Sequence, residues 1–93
     1  MDQDKVDKIM ERIALIREQL GKIENRKEYS SQIQSGTDPD IPETEGMSSE
    51  EIVEVAMEHC EKAEKLVSEG KILSAMREEK ICTIVLARAA GAP

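Results

Sequence analysis

Residues 78–90, "EEKICTIVLARAA", set a turn of charge directly ahead of a run of β-branched and aliphatic side chains. Whether that run is a strand or a helix decides the fold. A strand would need residues 77–80 as its turn, yet Arg77, Glu78, Glu79 and Lys80 are all strong helix formers. Read onward from Gly70, the positions Ile72, Ala75, Glu79, Cys82, Leu86 and Ala89 recur at alternating intervals of three and four, which is a helical seam. The spacing therefore predicts a helix whose apolar side is broadened by Ile81, Ile84 and Val85.

The stretch before Gly70 carries the same rhythm in Val53, Ala56, Cys60, Ala63 and Val67. When the chain is folded back at Gly70, the pairs 53–89, 56–86, 60–82, 63–79 and 67–75 fall opposite one another in constant register. Two seams in mirrored register are what an antiparallel helical hairpin requires. The hairpin begins at "MSSEEI", where Ser48 and Glu51 form a capping box and Met47 can staple against Ile52, so the helix starts at Ser49.

Toward the N-terminus, Val6, Ile9, Ile13, Ile16, Leu20 and Ile23 form a third seam. It predicts one long helix from about Asp2 to about Lys27, fraying where the register passes to Lys27, Ser30 and Gln34. The following "SSQIQSGTDPDIPETEG" is nearly empty of apolar side chains and cannot offset the roughly 1–2 kcal/mol per residue of ordering its backbone. The expected organisation is a single all-α domain. It is a three-helix bundle with a long N-terminal helix (1–28), a disordered acidic linker (29–47) and a C-terminal antiparallel helical hairpin (48–93). With strict seams and a long linker, a homodimer that exchanges its first helix is almost as easy to build.

Composition narrows the functional classes. The 93 residues include one Tyr and no Phe or Trp, and the formal charge is −7. Platforms that stack single-stranded bases need aromatic faces in a basic groove, so no direct nucleic-acid contact is expected. The charge is also uneven, because ten acidic residues and no Lys or Arg lie between Glu28 and Glu61, leaving the rest of the chain at +3. No apolar run reaches the roughly 18 residues of a membrane span, and "MDQDKVDK" lacks the apolar stretch of a signal peptide. The expectation is a cytoplasmic protein without membrane contact, whose two cysteines stay as thiols.

Few residues carry candidate chemistry. Cys60 and Cys82 face each other across the predicted hairpin, as buried thiols or as a disulfide closing a loop of about 20 residues. Glu79 is the one charge in the hairpin seam, opposite the small Ala63, with Lys62 and the first-helix arginines Arg12 and Arg17 within reach. An ion pair there would fix register at some expense of stability. His59 points about 100° away from Cys60 around the helix and is expected at the flank or surface.

Glu50, Glu51 and Glu54 of "SEEIVE" resemble the E-E-x-x-E metal ligands of the all-helical nucleotide pyrophosphohydrolases related to MazG. The resemblance covers five residues. That family's second ligand pair ends in Asp, no Asp follows Asp40, and the capping box already accounts for Glu51. "AEKLVSEGKILSA" resembles the hairpin turn of tetratricopeptide-type repeats, but the aromatic positions of those repeats are missing and one hairpin is not an array. No family is assigned, and no catalytic residue, metal or cofactor is expected.

The leading functional expectation is an interaction module that binds another protein or itself through apolar helix faces. A second is an acidic regulator occupying a basic site on a nucleic-acid-binding protein. A helical-bundle enzyme comes third.

Overall fold

The computed structural model describes residues 3–22 and 40–92. These residues form α1 (Gln3–Gly21), α2 (Ser49–Ser68) and α3 (Ile72–Ala90), and no strand is present among them. The ambiguous run after Lys80 is thus the second half of a helix.

Both ends of α2 are built as the local sequence demands. The Glu51 amide donates to Ser48 Oγ at 3.2 Å and the Ser48 amide donates to Glu51 Oε1 at 3.4 Å, a closed capping box. Met47 packs on the core just ahead of it, and Ile52 is buried, as a hydrophobic staple requires. At the other end the Lys71 amide donates to the Leu66 carbonyl at 2.9 Å and the Gly70 amide to the Val67 carbonyl at 3.1 Å. That pair of bonds is a Schellman motif, which needs a left-handed residue at its bend, and Gly70 supplies it with φ 75°. The chain then reverses immediately into α3.

Small side chains line the contact between α2 and α3. Ala56, Cys60 and Ala63 from α2, with Ala75, Cys82 and Ala89 from α3, are at most 1% exposed. Without long side chains between them, the two backbones approach closely, and the larger Val53, Ile81 and Val85 close the ends and edges of the seam. Val6, Ile9, Ile13, Ile16 and Leu20 of α1 then cover the open side of this pair as one buried stripe.

Helix α1 spans Gln3–Gly21. Gly21 is its last residue and Lys22 turns, its amide donating to the Gln19 carbonyl at 3.2 Å. Glycine is about 1 kcal/mol poorer than alanine inside a helix, which disfavours continuation through this position. Ile23, the last member of the expected seam, and the remainder of the expected helix to Lys27 lie outside the described residues.

The direction of α1 explains why the connection is long. Lys5 pairs with Glu54 and Arg12 with Glu64, so α1 runs parallel to α2. Arg17 pairs with Glu79, whereas Val6 and Met10 border a groove with Leu86 and Ala90, so α1 runs antiparallel to α3. The chain leaving Lys22 must return along the bundle to reach Ser49. A helix of this size spans roughly 28 Å, which takes at least about nine extended residues.

The last part of the expected linker is seated on the bundle. Ile41 and Met47 pack against the core, and Arg88 Nη1 donates to the Pro42 carbonyl at 3.3 Å and to Thr44 Oγ1 at 3.5 Å. A turn closed by the Met47 amide on the Thr44 carbonyl, at 3.1 Å, includes Gly46 with φ 84° and delivers the chain to Ser48. Residues 29–39 of that linker lie outside the described residues.

Two substitutions test the hairpin's punctuation. Ser48→Ala should lower unfolding stability by about 1 kcal/mol through loss of the cap, and Gly70→Ala by about 1 kcal/mol through the left-handed backbone it must adopt. Urea titration followed by circular dichroism measures both. A Gly70→Ala protein as stable as the parent would contradict the left-handed bend.

Candidate functional site: the groove between α1 and α3

Polar side chains at the edges of the bundle hold α1 in place. On the α2 side, Arg12 donates to Glu64 and, through Nη1, to Met57 Sδ at 2.9 Å, while Lys5 pairs with Glu54. The hydrogen bond to Glu64 raises the Arg12 pKa above its already high ordinary value. On the α3 side, Arg17 Nε donates to Glu79 Oε1 at 2.5 Å and its Nη2 to Thr83 Oγ1 at 3.1 Å. Thr83 Oγ1 in turn donates back to the Glu79 carbonyl at 3.0 Å.

Glu79 pairs with Arg17, one of the two first-helix arginines expected within its reach. Arg12 reaches α2 instead, and Lys62 lies 3.8 Å from Glu58 on its own helix. Glu79 is 14% exposed and Arg17 is 53% exposed, so the pair is wet on one side and contributes modestly.

Cys60 and Cys82 meet as the hairpin register requires. Both are free thiols at 0% exposure, and each lies near enough to the other to influence its titration. Burial, followed by the neighbouring Cys60 sulfur, pushes the Cys82 thiol from 9.0 up to about 12. Burial, followed by the Glu64 carboxylate, also raises Cys60. Nucleophilic cysteines are thiolates with depressed pKa values in electropositive surroundings, and these have the opposite character.

His59 is more engaged than its sequence position suggested. Its Nδ1 lies 2.5 Å from Glu78 Oε2 and its side chain is 14% exposed. The pair bridges α2 and α3 beside the cysteine rung. The one signal that could have located it is that His59 directly precedes Cys60 while Glu78 lies about one helical turn before Cys82, which puts both beside the 60–82 rung.

Glu50, Glu51 and Glu54 are exposed on the outer side of α2. Glu51 is occupied by the capping box and Glu54 by Lys5. Among the described residues no group of three or more His, Cys, Asp or Glu side chains could hold a metal ion, and no helix is long and apolar enough to cross a membrane.

What the packing leaves open is a groove of about 360 Å³ between α1 and α3, lined by Val6, Met10, Ile13, Ala14, Arg17, Thr83, Leu86, Ala87 and Ala90. Its origin is physical. The pins to Glu54 and Glu64 draw α1 toward α2, and Ala14, Ala87 and Ala90 are too short to fill the space left beside α3. Met10 stands at its edge 55% exposed, one of two large apolar side chains so exposed among the described residues. The other, Leu15, borders a second cleft with Ile16, Gln19, Glu64, Val67 and Ser68.

Chemically, the first groove can bury apolar surface and little else. Arg17 is its one ionisable lining residue, and Glu79 and Thr83 already engage it. It offers no nucleophile and no general base. Comparison with protein-family models, curated proteins and solved structures finds no match to this chain in any of the three.

Thiol chemistry tests the buried rung. Both cysteines should react with a maleimide far more slowly in buffer than in 8 M-range denaturant, read by mass; rapid labelling of the folded protein would place them elsewhere. The sign of the pH dependence also follows. A thiol that holds its proton more tightly when folded stabilises the fold fully below about pH 9 and loses that contribution as pH rises toward 12. The stability difference between the parent and Cys82→Ala should therefore shrink from pH 8 to pH 11, measured by denaturant titration. At the opposite edge, Glu79→Leu should fold with stability equal to or above the parent, because it removes a half-buried carboxylate and leaves Arg17 in water. A loss above about 2 kcal/mol would show the pair to be a structural requirement.

Proposed function

We propose that the protein is a small protein–protein interaction module that receives an amphipathic helix along the groove between α1 and α3. The observation that carries this reading is the groove itself, an apolar channel between two helices with Met10 left 55% exposed at its rim. Recognition of a helix by a groove works by burying apolar anchors at helical spacing, and the Val6, Met10, Ile13 and Leu86 side chains supply that surface. The lining's lack of acid, base or nucleophile favours binding over catalysis. The proposed setting is the cytoplasm, where the buried thiol pair stays reduced.

A second reading rests on a different face. Glu50, Glu51, Glu54, Glu58 and Glu61 are all exposed along the N-terminal and middle turns of α2. Such a strip suits a basic site on a nucleic-acid-binding protein, and that complex would weaken steeply with salt. A helix seated in an apolar groove would not.

Photo-crosslinking separates the two faces. A benzophenone amino acid placed at Met10 or Ala87 should capture a protein in extracts of the source cells, at low and high salt alike, while the same probe at Glu58 should not. Capture at Glu58 alone, lost at high salt, would favour the acidic-regulator reading. No adduct above background at Met10 or Ala87 would contradict the groove reading.

A further inference from the structure

We infer that Cys60 and Cys82 form a latent disulfide, a redox lock that ties α2 to α3 in the register the fold already has. The inference is independent of what the groove binds. Both thiols are completely buried in the seam between the two helices, and each lies near enough to the other to influence its titration. The seam around them is built from Ala56, Ala63, Ala75 and Ala89, all at most 1% exposed. Helix axes in contact stand about 8–10 Å apart, the short end going with small side chains. At about 8 Å, with Cα atoms about 2.3 Å from each axis, residues directed at the opposite helix come within the roughly 7 Å between Cα atoms that a disulfide tolerates.

Other roles for the pair fit less well. Among the described residues no further His, Cys, Asp or Glu joins the two sulfurs to hold a metal ion. Both thiols hold their protons more tightly than usual because they are buried, so neither is a nucleophile for a bound substrate. Alanine fills the seam at 56, 63, 75 and 89, so packing alone does not call for sulfur at two facing positions.

The oxidant is a low-molecular-weight disulfide of the glutathione type. The thiolate of one cysteine attacks a sulfur of the small disulfide, forming a mixed disulfide and releasing one small thiol. The thiolate of the second cysteine then attacks the protein-side sulfur, forming the Cys60–Cys82 bond and releasing the second small thiol. Two electrons pass from the cysteines to the small disulfide, and the two protons leave on the thiol products. In the folded chain this exchange is slow, because both sulfurs are buried and burial pushes the Cys82 thiol up to about 12. It therefore proceeds through opening of the hairpin, and reclosure sets the second thiol opposite the first. Once formed, the bond is shielded from reductant by the same packing. A reducing pool leaves the pair as thiols, and an excess of disulfide oxidant locks it.

Intact mass of the full chain in a glutathione redox buffer reads this directly. One sample is refolded from about 6 M urea into about 1 mM each of glutathione and glutathione disulfide, and a second is kept folded in the same buffer. Most refolded chains should become lighter by about 2 Da within one monomer, and the folded sample should convert more slowly, faster in sub-denaturing urea. The linked chain closes a loop of about 20 residues, so its thermal midpoint should rise by roughly 10–20 °C. Cys60→Ser and Cys82→Ser should each abolish the loss of about 2 Da. Refolded chains that stay as dithiols, keep glutathione adducts or link into dimers would overturn the inference. So would an internal bond that leaves the thermal midpoint unchanged or lowers it, because a link in the native register constrains the unfolded chain without straining the fold. Conversion of the folded sample as fast as that of the refolded one would overturn the shielded route.

Discussion

The close approach of α2 and α3 is the constraint on which the rest of this bundle depends. Six small residues, Ala56, Cys60, Ala63, Ala75, Cys82 and Ala89, are almost fully buried in these two helices, and a domain with no Phe or Trp has few other ways to fill its interior. Small side chains allow the backbones to come together, and the gain is dispersion contact at near-crystalline density rather than the burial of a few large rings. The Schellman bend at Gly70 makes that approach immediate in sequence. It also fixes which residues meet, so the cysteine rung and the His59–Glu78 bridge follow from one register.

With the hairpin set, α1 has one apolar stripe and one place to lie. Its ion pairs stand at the edges of the contact, to Glu54 and Glu64 on one side and to Glu79 on the other, and they specify direction more than strength. Exposed and half-exposed pairs of this kind contribute roughly 0–1 kcal/mol each. The apolar stripe from Val6 to Leu20, at about 1.5–3 kcal/mol for each buried aliphatic side chain, outweighs them. The groove is the remainder of that arrangement, where alanines on both helices leave space that no described residue fills. Its functional assignment thus belongs to a feature produced by packing, with Met10 as the residue whose exposure packing alone does not require.

Most of the architecture was legible because it is written in spacings. Mirrored seams about Gly70 placed Cys60 opposite Cys82, and the capping box at Ser48 and Glu51 placed the start of α2 to the residue. The partner of Glu79 was legible only as a pair of arginines, since choosing Arg17 over Arg12 requires the height and tilt of α1. Periodicity does not encode direction, so the parallel course of α1 beside α2 was not foreseen, nor was the seating of Ile41 and Met47. Helix α1 is described to Gly21, and the last member of the expected seam, Ile23, lies outside the described residues. The groove itself could not be read from sequence, because it arises where short side chains of two distant segments happen to share a height.

Methyl nuclear Overhauser contacts across the hairpin test the register most directly. The small-residue seam predicts cross-peaks from the Ala56 methyl to the methyls of Val85 and Leu86, and from the Ala63 methyl to the Glu79 side chain. Contacts displaced by a helical turn, with Ala56 meeting Ala89 or Cys82 instead, would contradict the close-packed seam and with it the placement of every polar pin and of the groove.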